Sequence, residues 1–309
     1  MAQLKEQKWE LMEVGEEFGP VEVVVDDQKI KSFAYAVDDY DPAFFVGKPK
    51  GQRIGHPVVL CNDLLRAPHS KYDPHTGSGT SLHAKQEFEV FKPVRLGQKV
   101  IVTGRFVDKY IRREKPYIVF EAEARDEDGE LVLRGRSTQM RGLKPGVVKA
   151  GGSPVPSERP AAPTPIDASG PVVETASKDI VIGARVKPLV KRVTQEQMTV
   201  FTGTGRKSIH IDLDVALKSG LPNTVAQGMM SAAYVAETLT KFFGNGWRRG
   251  GQLSVSFISP VYPGDTITTN GVVREIVPEG HSQRVVLDVW CENQAGKKVT
   301  VGTGSGLVR

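Results

Sequence analysis

Three turn-forming positions recur at one constant spacing, and that repeat limits the fold more than any other feature of the chain. Pro93 and Pro260, Gly97 and Gly264, and Gly129 and Gly296 each stand 167 residues apart. The flanking residues agree. Phe91-Lys92-Pro93-Val94 and Ile258-Ser259-Pro260-Val261 each follow an alternating run, and the hairpin steps Asp128-Gly129 and Ala295-Gly296 keep the same offset. Proline and glycine sit where backbone geometry demands them, so agreement at three such places points to two copies of one unit. A chain of 309 residues accommodates two domains of ordinary size.

Residues 144–178 carry seven prolines and little amphipathic period, which suits a semi-rigid linker and opposes a packed core. The expected organisation is a first copy over 1–143, a linker over 144–178 and a second copy over 179–309. Each copy opens with a short β-rich segment, at 21–25 and at 185–193. A helix follows. Asp26 or Asp27 opens it in the first copy, and Thr194 and Gln197 have the spacing of a capping box in the second. An irregular loop then leads to an apolar helix, most plainly 228–243, GMMSAAYVAETLTKFF. Alternation over 85–90, 99–110, 117–126 and 130–140 predicts strands, with matching runs from Gln252 onward. A helix followed by a meander predicts an α+β fold in which an antiparallel sheet wraps round a central helix.

Composition narrows the function. Hydrophobic residues at 39% and charged residues at 25% exclude general disorder. The net charge of +5 is spread along the chain without a basic tract, which suits an acidic small ligand and argues against nucleic acid. Cys61 and Cys291 lie one in each copy, too few for a disulfide framework or a cysteine zinc site. The N-terminal residues lack the apolar core of a signal peptide, and no run reaches the ~18 apolar residues of a membrane span. The cytoplasm is the expected location, with no membrane partner.

Ser208-Ile209-His210-Ile211-Asp212, the following ALKSGLPNTVAQGMM and the later FISPVYPGD resemble the hydratase motif of the MaoC-like, hot-dog-fold enoyl-CoA hydratases. Asp38-Asp39-Tyr40-Asp41-Pro42 and QEFEVFKPVRLGQKV resemble the same family in the first copy. The family motif runs roughly Asp-x-Asn-Pro-Ile-His-x-Asp, then a helix, then Ile-x-His-Gly-Met. The resemblance implies a tandem (double) hot-dog and the reversible addition of water to a 2-enoyl-CoA thioester. Coenzyme A belongs to the substrate, and no separate cofactor or metal is implied. An Asp and a His would hold the water as base and acid, and a Gly N–H opening the central helix would polarise the thioester carbonyl.

Carried over by position, the motif divides between the copies. His210 matches the catalytic His and Gly228 the thioester-binding Gly, but Gly205 stands at the Asp position, Lys207 and Ser208 at Asn and Pro, and Gln227 at the second His. In the first copy Asp39 matches the Asp and Pro42 the Pro, while Phe44 stands at the His position. Three readings follow: a hydratase in which His210 acts alone or with Asp212, a split dyad in which Asp39 reaches His210 across the copies, and a subunit that binds acyl-CoA without hydrating it. Asp212 also has the position of a helix cap. Arg206 and Lys207 would bring two cations beside His210, suited to a substrate carboxylate or phosphate and depressing the imidazole pKa. Arg112-Arg113 and Arg248-Arg249 are further candidates for the CoA phosphates. Phe44, Phe45 and Val58-Val59-Leu60 would wall the acyl pocket, and His83 opens a strand expected to face the other copy.

Other signals carry less. The 203–208 stretch lacks the Gly-x4-Gly-Lys spacing of a phosphate loop, and His56, His69, His75 and His83 fit no metal-ligand spacing. Thioesterase chemistry would need an acid near the helix start or on the loop facing it. Asp63 and Glu237 are the acids well inside the two expected central helices, and Glu237 stands about nine residues along, late for a carbonyl at the start. Homo-oligomer formation beyond the internal pairing stays open.

Overall fold

The computed structural model describes residues 3–47, 52–74, 76, 80–143, 169–203 and 207–309. Gly205, Arg206, His75 and the 144–168 part of the expected linker lie outside the described residues.

One sheet of 12 strands runs through both copies, and its order explains the repeat. Outward from the middle, the first copy contributes Thr80–Val90, Leu131–Leu143, Lys115–Asp126, Lys99–Arg112 and Glu17–Val24. In the other direction the second copy contributes Gln252–Phe257, Lys298–Val308, Ser282–Asn293, Thr266–Glu279 and Leu189–Arg192. The two sequences of strands correspond one to one, and the fold is the double hot-dog. The copies join edge to edge, with Glu89 opposite Gln252 and Lys85 opposite Ser256 in an antiparallel pair. Joining covers two strand edges that would otherwise offer unpaired backbone groups to other chains.

Gly97, Gly129, Gly264 and Gly296 all have φ between +70° and +96°, the left-handed region that favours glycine. The spacing of the repeat is thus the spacing of matching tight turns. The cap signals also have their structural counterparts. Asp26 accepts from the Lys29 N–H at 2.7 Å, and Thr194 and Gln197 form a reciprocal capping box at the start of Gln195–Thr202.

The central helices differ more than the repeat suggests. In the second copy Gly228–Phe243 is apolar nearly all round and buried along its length, as befits a helix wrapped by a sheet. Its first-copy counterpart, Cys61–Arg66, ends after six residues and passes into the 3-10 turn Ala67–Ser70. Pro68 has no N–H to continue the ladder, and the chain tightens into the 3-10 turn as the Ala67 N–H bonds the Leu64 carbonyl. No helix among the described residues is long and apolar enough to cross a membrane.

Candidate active site

His210 is fixed at both backbone and ring. Gln195 Nε2 donates to the His210 carbonyl at 3.0 Å, while Gln195 Oε1 accepts from Thr224 Oγ1 at 2.5 Å. The ring Nδ1 lies 2.6 Å from the Val225 carbonyl oxygen. A carbonyl can only accept, so Nδ1 carries the hydrogen and the neutral ring keeps its lone pair on Nε2. Burial lowers the imidazole pKa below its ordinary value, with the Val225 contact acting in the opposite direction. At neutral pH His210 is therefore an unprotonated base, and no partner for Nε2 occurs among the described residues.

Three residues beyond Val225 the central helix begins. Gln227 is its N-cap but makes no side-chain cap; its Nε2 donates instead to Thr202 Oγ1 at 3.0 Å. The Met230 N–H bonds back to the Gln227 carbonyl, whereas the N–H groups of Gly228 and Met229 meet no acceptor among the described residues. Two free donors at the positive end of a 16-residue helix suit a developing oxyanion. A Cβ at position 228 would stand 2.7 Å from the Phe257 ring, so only glycine lets that ring press on the helix start.

The first copy reaches the same place through His83. Its ring packs edge-on against Phe257 with centroids 5.0 Å apart, and its buried Nε2 has no hydrogen-bond partner. Burial is the main cause that lowers its pKa to about 4; Lys85 and Gln86 oppose the shift, and the His210 charge adds to it. The candidate site thus spans the seam, with His210, Gly228 and Phe257 from one copy and His83 from the other.

The remaining candidates fall elsewhere. Asp212 caps the helix Leu213–Lys218, accepting from the Val215 N–H at 3.1 Å, and Lys207, 85% exposed, lies 3.8 Å from the same carboxylate. Phe44 is shut into the first-copy core with its ring 6.0 Å from His56, and Val58, Val59 and Leu60 are core residues too. Arg248 turns inward to Asp41 Oδ2 at 2.9 Å, which corrects its expected place on a phosphate-binding surface.

The expectation that Asp39 reaches His210 also needs correction. Asp39 lies beside Lys241 and Glu237, and Glu237 stands nine residues along the helix whose start adjoins His210, a helical rise of about 14 Å. There the two copies build a buried ion cluster. Lys191 Nζ meets Glu237 Oε2 at 2.7 Å, Lys241 Nζ meets Glu237 Oε1 at 3.0 Å and Asp39 Oδ1 at 3.8 Å, and His56 Nε2 lies 3.7 Å from Asp39 Oδ2. Burial, with Glu237 adding to it, raises the Asp39 pKa to about 6. Burial and the neighbouring Arg248, Lys191 and Lys241 hold His56 well below its ordinary value. The Val58 N–H donates to His56 Nδ1 at 3.3 Å, so the remaining ring hydrogen is on Nε2, facing Asp39.

Sequence reasoning missed Gln195, Val225 and Phe257, the residues that aim His210 and shape the helix start. None has a distinctive local pattern. The Gly228–Phe257 contact could have been sought once a glycine was seen to open a helix, since such glycines often mark a close approach.

A family profile described as a MaoC-like domain matches residues 179–295, and one described as a FAS1-like dehydratase domain region matches 12–134. The (R)-specific enoyl-CoA hydratase of Rhodospirillum rubrum is 30% identical over 123 residues, which are 39% of this chain and 83% of that protein. The peroxisomal multifunctional enzyme type 2 of Drosophila melanogaster is 24% identical over 190 residues, 60% of this chain; the chain spans only 29% of that enzyme. Among solved structures, a MaoC-like dehydratase superposes with a TM-score of 0.71 at 20% identity, covering 97% of this chain and 100% of the other. A Mycobacterium tuberculosis protein described as having a double hot-dog fold gives 0.64 at 11% identity, covering 98% of each chain. At such identities the structural likeness speaks for the fold.

Proposed function

Because this chain belongs to the MaoC-like hydratase/dehydratase family, we propose that it adds water to a 2-enoyl-CoA thioester, or removes it from the 3-hydroxyacyl-CoA, at a single site in the second copy. The observation that carries this reading is the His210 ring, with Nδ1 tied to the Val225 carbonyl, three residues before an uncapped helix start, and Nε2 without a partner among the described residues.

The chemistry needs a base for water and a place for negative charge. His210 Nε2 takes a proton from water as the water oxygen bonds to Cβ of the enoyl group. The alkene electron pair moves toward the thioester, and the enolate oxygen meets the Gly228 and Met229 N–H groups. The imidazolium then returns the proton to Cα, which restores the base. His83, kept neutral by burial, supplies a polar atom to the facing wall for the water or the thioester oxygen. No second carboxylate is required. One histidine moves one proton in each direction.

A second reading has its own observation. Gly205 stands at the position of the family Asp, and Asp212, the neighbouring carboxylate, serves as a helix cap. A groove that binds acyl-CoA without hydrating it would look like this. Of the two acids open to thioesterase chemistry, Glu237 is held by Lys191 and Lys241 nine residues along its helix. The other, Asp63, in the first turn of Cys61–Arg66, is paired with Lys29 at 2.8 Å. The test offers purified protein crotonyl-CoA and a longer enoyl-CoA and follows loss of the conjugated double bond. Hydration supports the enzyme. Absent turnover with clear thermal stabilisation by the same thioesters supports the binding subunit.

A further inference from the structure

Among the described residues Arg141 is a buried cation without a carboxylate. Lys191 and Arg248, also buried, pair with Glu237 and Asp41. Among the described residues Arg141, 7% exposed, has one hydrogen bond, from Nη1 to Ser81 Oγ at 3.0 Å, and its buried Nε has no acceptor. Burial pushes its pKa down to about 10, so it stays charged at neutral pH. Holding a guanidinium out of water on one serine hydroxyl is costly, and an anion at that place would offset the cost.

The sheet register puts this charge next to the candidate site. Ser81 and His83 lie two residues apart on the strand Thr80–Val90 and so share a face, about 7 Å apart along it. On the neighbouring strand Gln139 stands opposite His83 and Met140 opposite Leu82; Arg141 follows at an irregularity of the register, and its bond to Ser81 holds the guanidinium on the face that Ser81 shares with His83. The guanidinium is therefore one strand repeat from the histidine that faces Phe257 and Gly228. The CoA phosphates are separated from the thioester by the whole pantetheine arm. An anion this close to the reacting carbons belongs to the acyl group.

We propose that Arg141 and Ser81 form a subsite for a carboxylate carried on the acyl chain, which makes the substrate class a short dicarboxylic acyl thioester. The inference rests on reading the seam as an acyl-thioester site. A plain hydrocarbon tail would leave the guanidinium unpaired against apolar carbon, whereas a carboxylate can take charge-assisted bonds from its free N–H groups.

The test is calorimetric titration of the full chain with glutaryl-CoA and butyryl-CoA, which differ by one carboxylate and have no double bond to hydrate. Glutaryl-CoA should bind at least about tenfold tighter, Arg141→Met should erase the difference, and Arg141→Lys should keep part of it. Equal affinities in the unsubstituted protein overturn the proposal, and that comparison decides alone if Arg141→Met fails to fold. Parallel weakening of both esters in Arg141→Met also overturns it, since that outcome puts the guanidinium on the CoA phosphates. Absence of binding by either ester overturns it together with the thioester reading. Tighter glutaryl-CoA binding without turnover of crotonyl-CoA or glutaconyl-CoA would remove the hydratase reading and leave the subsite standing.

Discussion

The two ends of the helix Gly228–Phe243 serve two histidines that the fold uses in opposite ways. At its start, His210 gives its Nδ1 hydrogen to a carbonyl, and among the described residues its Nε2 and the N–H groups of Gly228 and Met229 have no partner. Near its end, His56 receives an N–H at Nδ1 and turns its ring hydrogen toward Asp39, inside a cluster with Lys191, Glu237 and Lys241. The second place has more ionisable groups, yet its charges are largely spent on one another. The first has few groups, and among the described residues its donors and its lone pair go unmet. A catalytic site is better recognised by what is held in place and left unsatisfied than by the number of charges it gathers.

The comparison breaks most visibly at Lys191. Lys191→Met leaves Glu237 buried with Lys241 as its remaining partner, and should cost about 3 kcal/mol in denaturant unfolding. Turnover per folded molecule should stay close to that of the parent, because the cluster is structural. Gly228→Ala acts at the other end. Its Cβ would stand 2.7 Å from the Phe257 ring, so overpacking should cost about 1–3 kcal/mol and shift the helix start, with kcat falling more than KM rises.

The smallest effect concerns pH. His83 has a folded pKa of about 4, below the ~6.5 of an exposed histidine, so the unfolded chain takes up the proton first as pH falls. Its contribution to stability is present above about pH 6.5 and is lost as pH drops from there toward 4. His83→Gln should flatten the acid side of the stability profile by up to about 1.4 kcal/mol per pH unit in that window, as followed by thermal unfolding against pH. An unchanged profile would mean that His83 already bears a partner in solution.

Much of the scaffold was legible before the coordinates. The turn glycines recur because the same φ > 0 turns recur, and helix Gly228–Phe243 and the capping box at Thr194 follow from local pattern. His210 and Gly228 were found through the family motif, and they meet at the helix start. The ion cluster was not legible, since Lys191 and Asp38, which share a hydrogen bond there, are 153 residues apart. Phe44 stands at the motif position of the His but packs into the first-copy core beside His56. Arg248 is a candidate for the CoA phosphates on the strength of its basic neighbour, and only the fold pairs it with Asp41.

The central claim is that chemistry belongs to the second copy's helix start and not to the ion cluster. Crotonyl-CoA hydration by the parent protein, His210→Ala and Asp39→Asn, measured side by side, tests it most directly. The account predicts a loss of about 100-fold or more in kcat for His210→Ala, as for a removed acid/base group, and retention within a few-fold for Asp39→Asn. Loss of turnover in Asp39→Asn with survival in His210→Ala would contradict it and return the active site to the first copy.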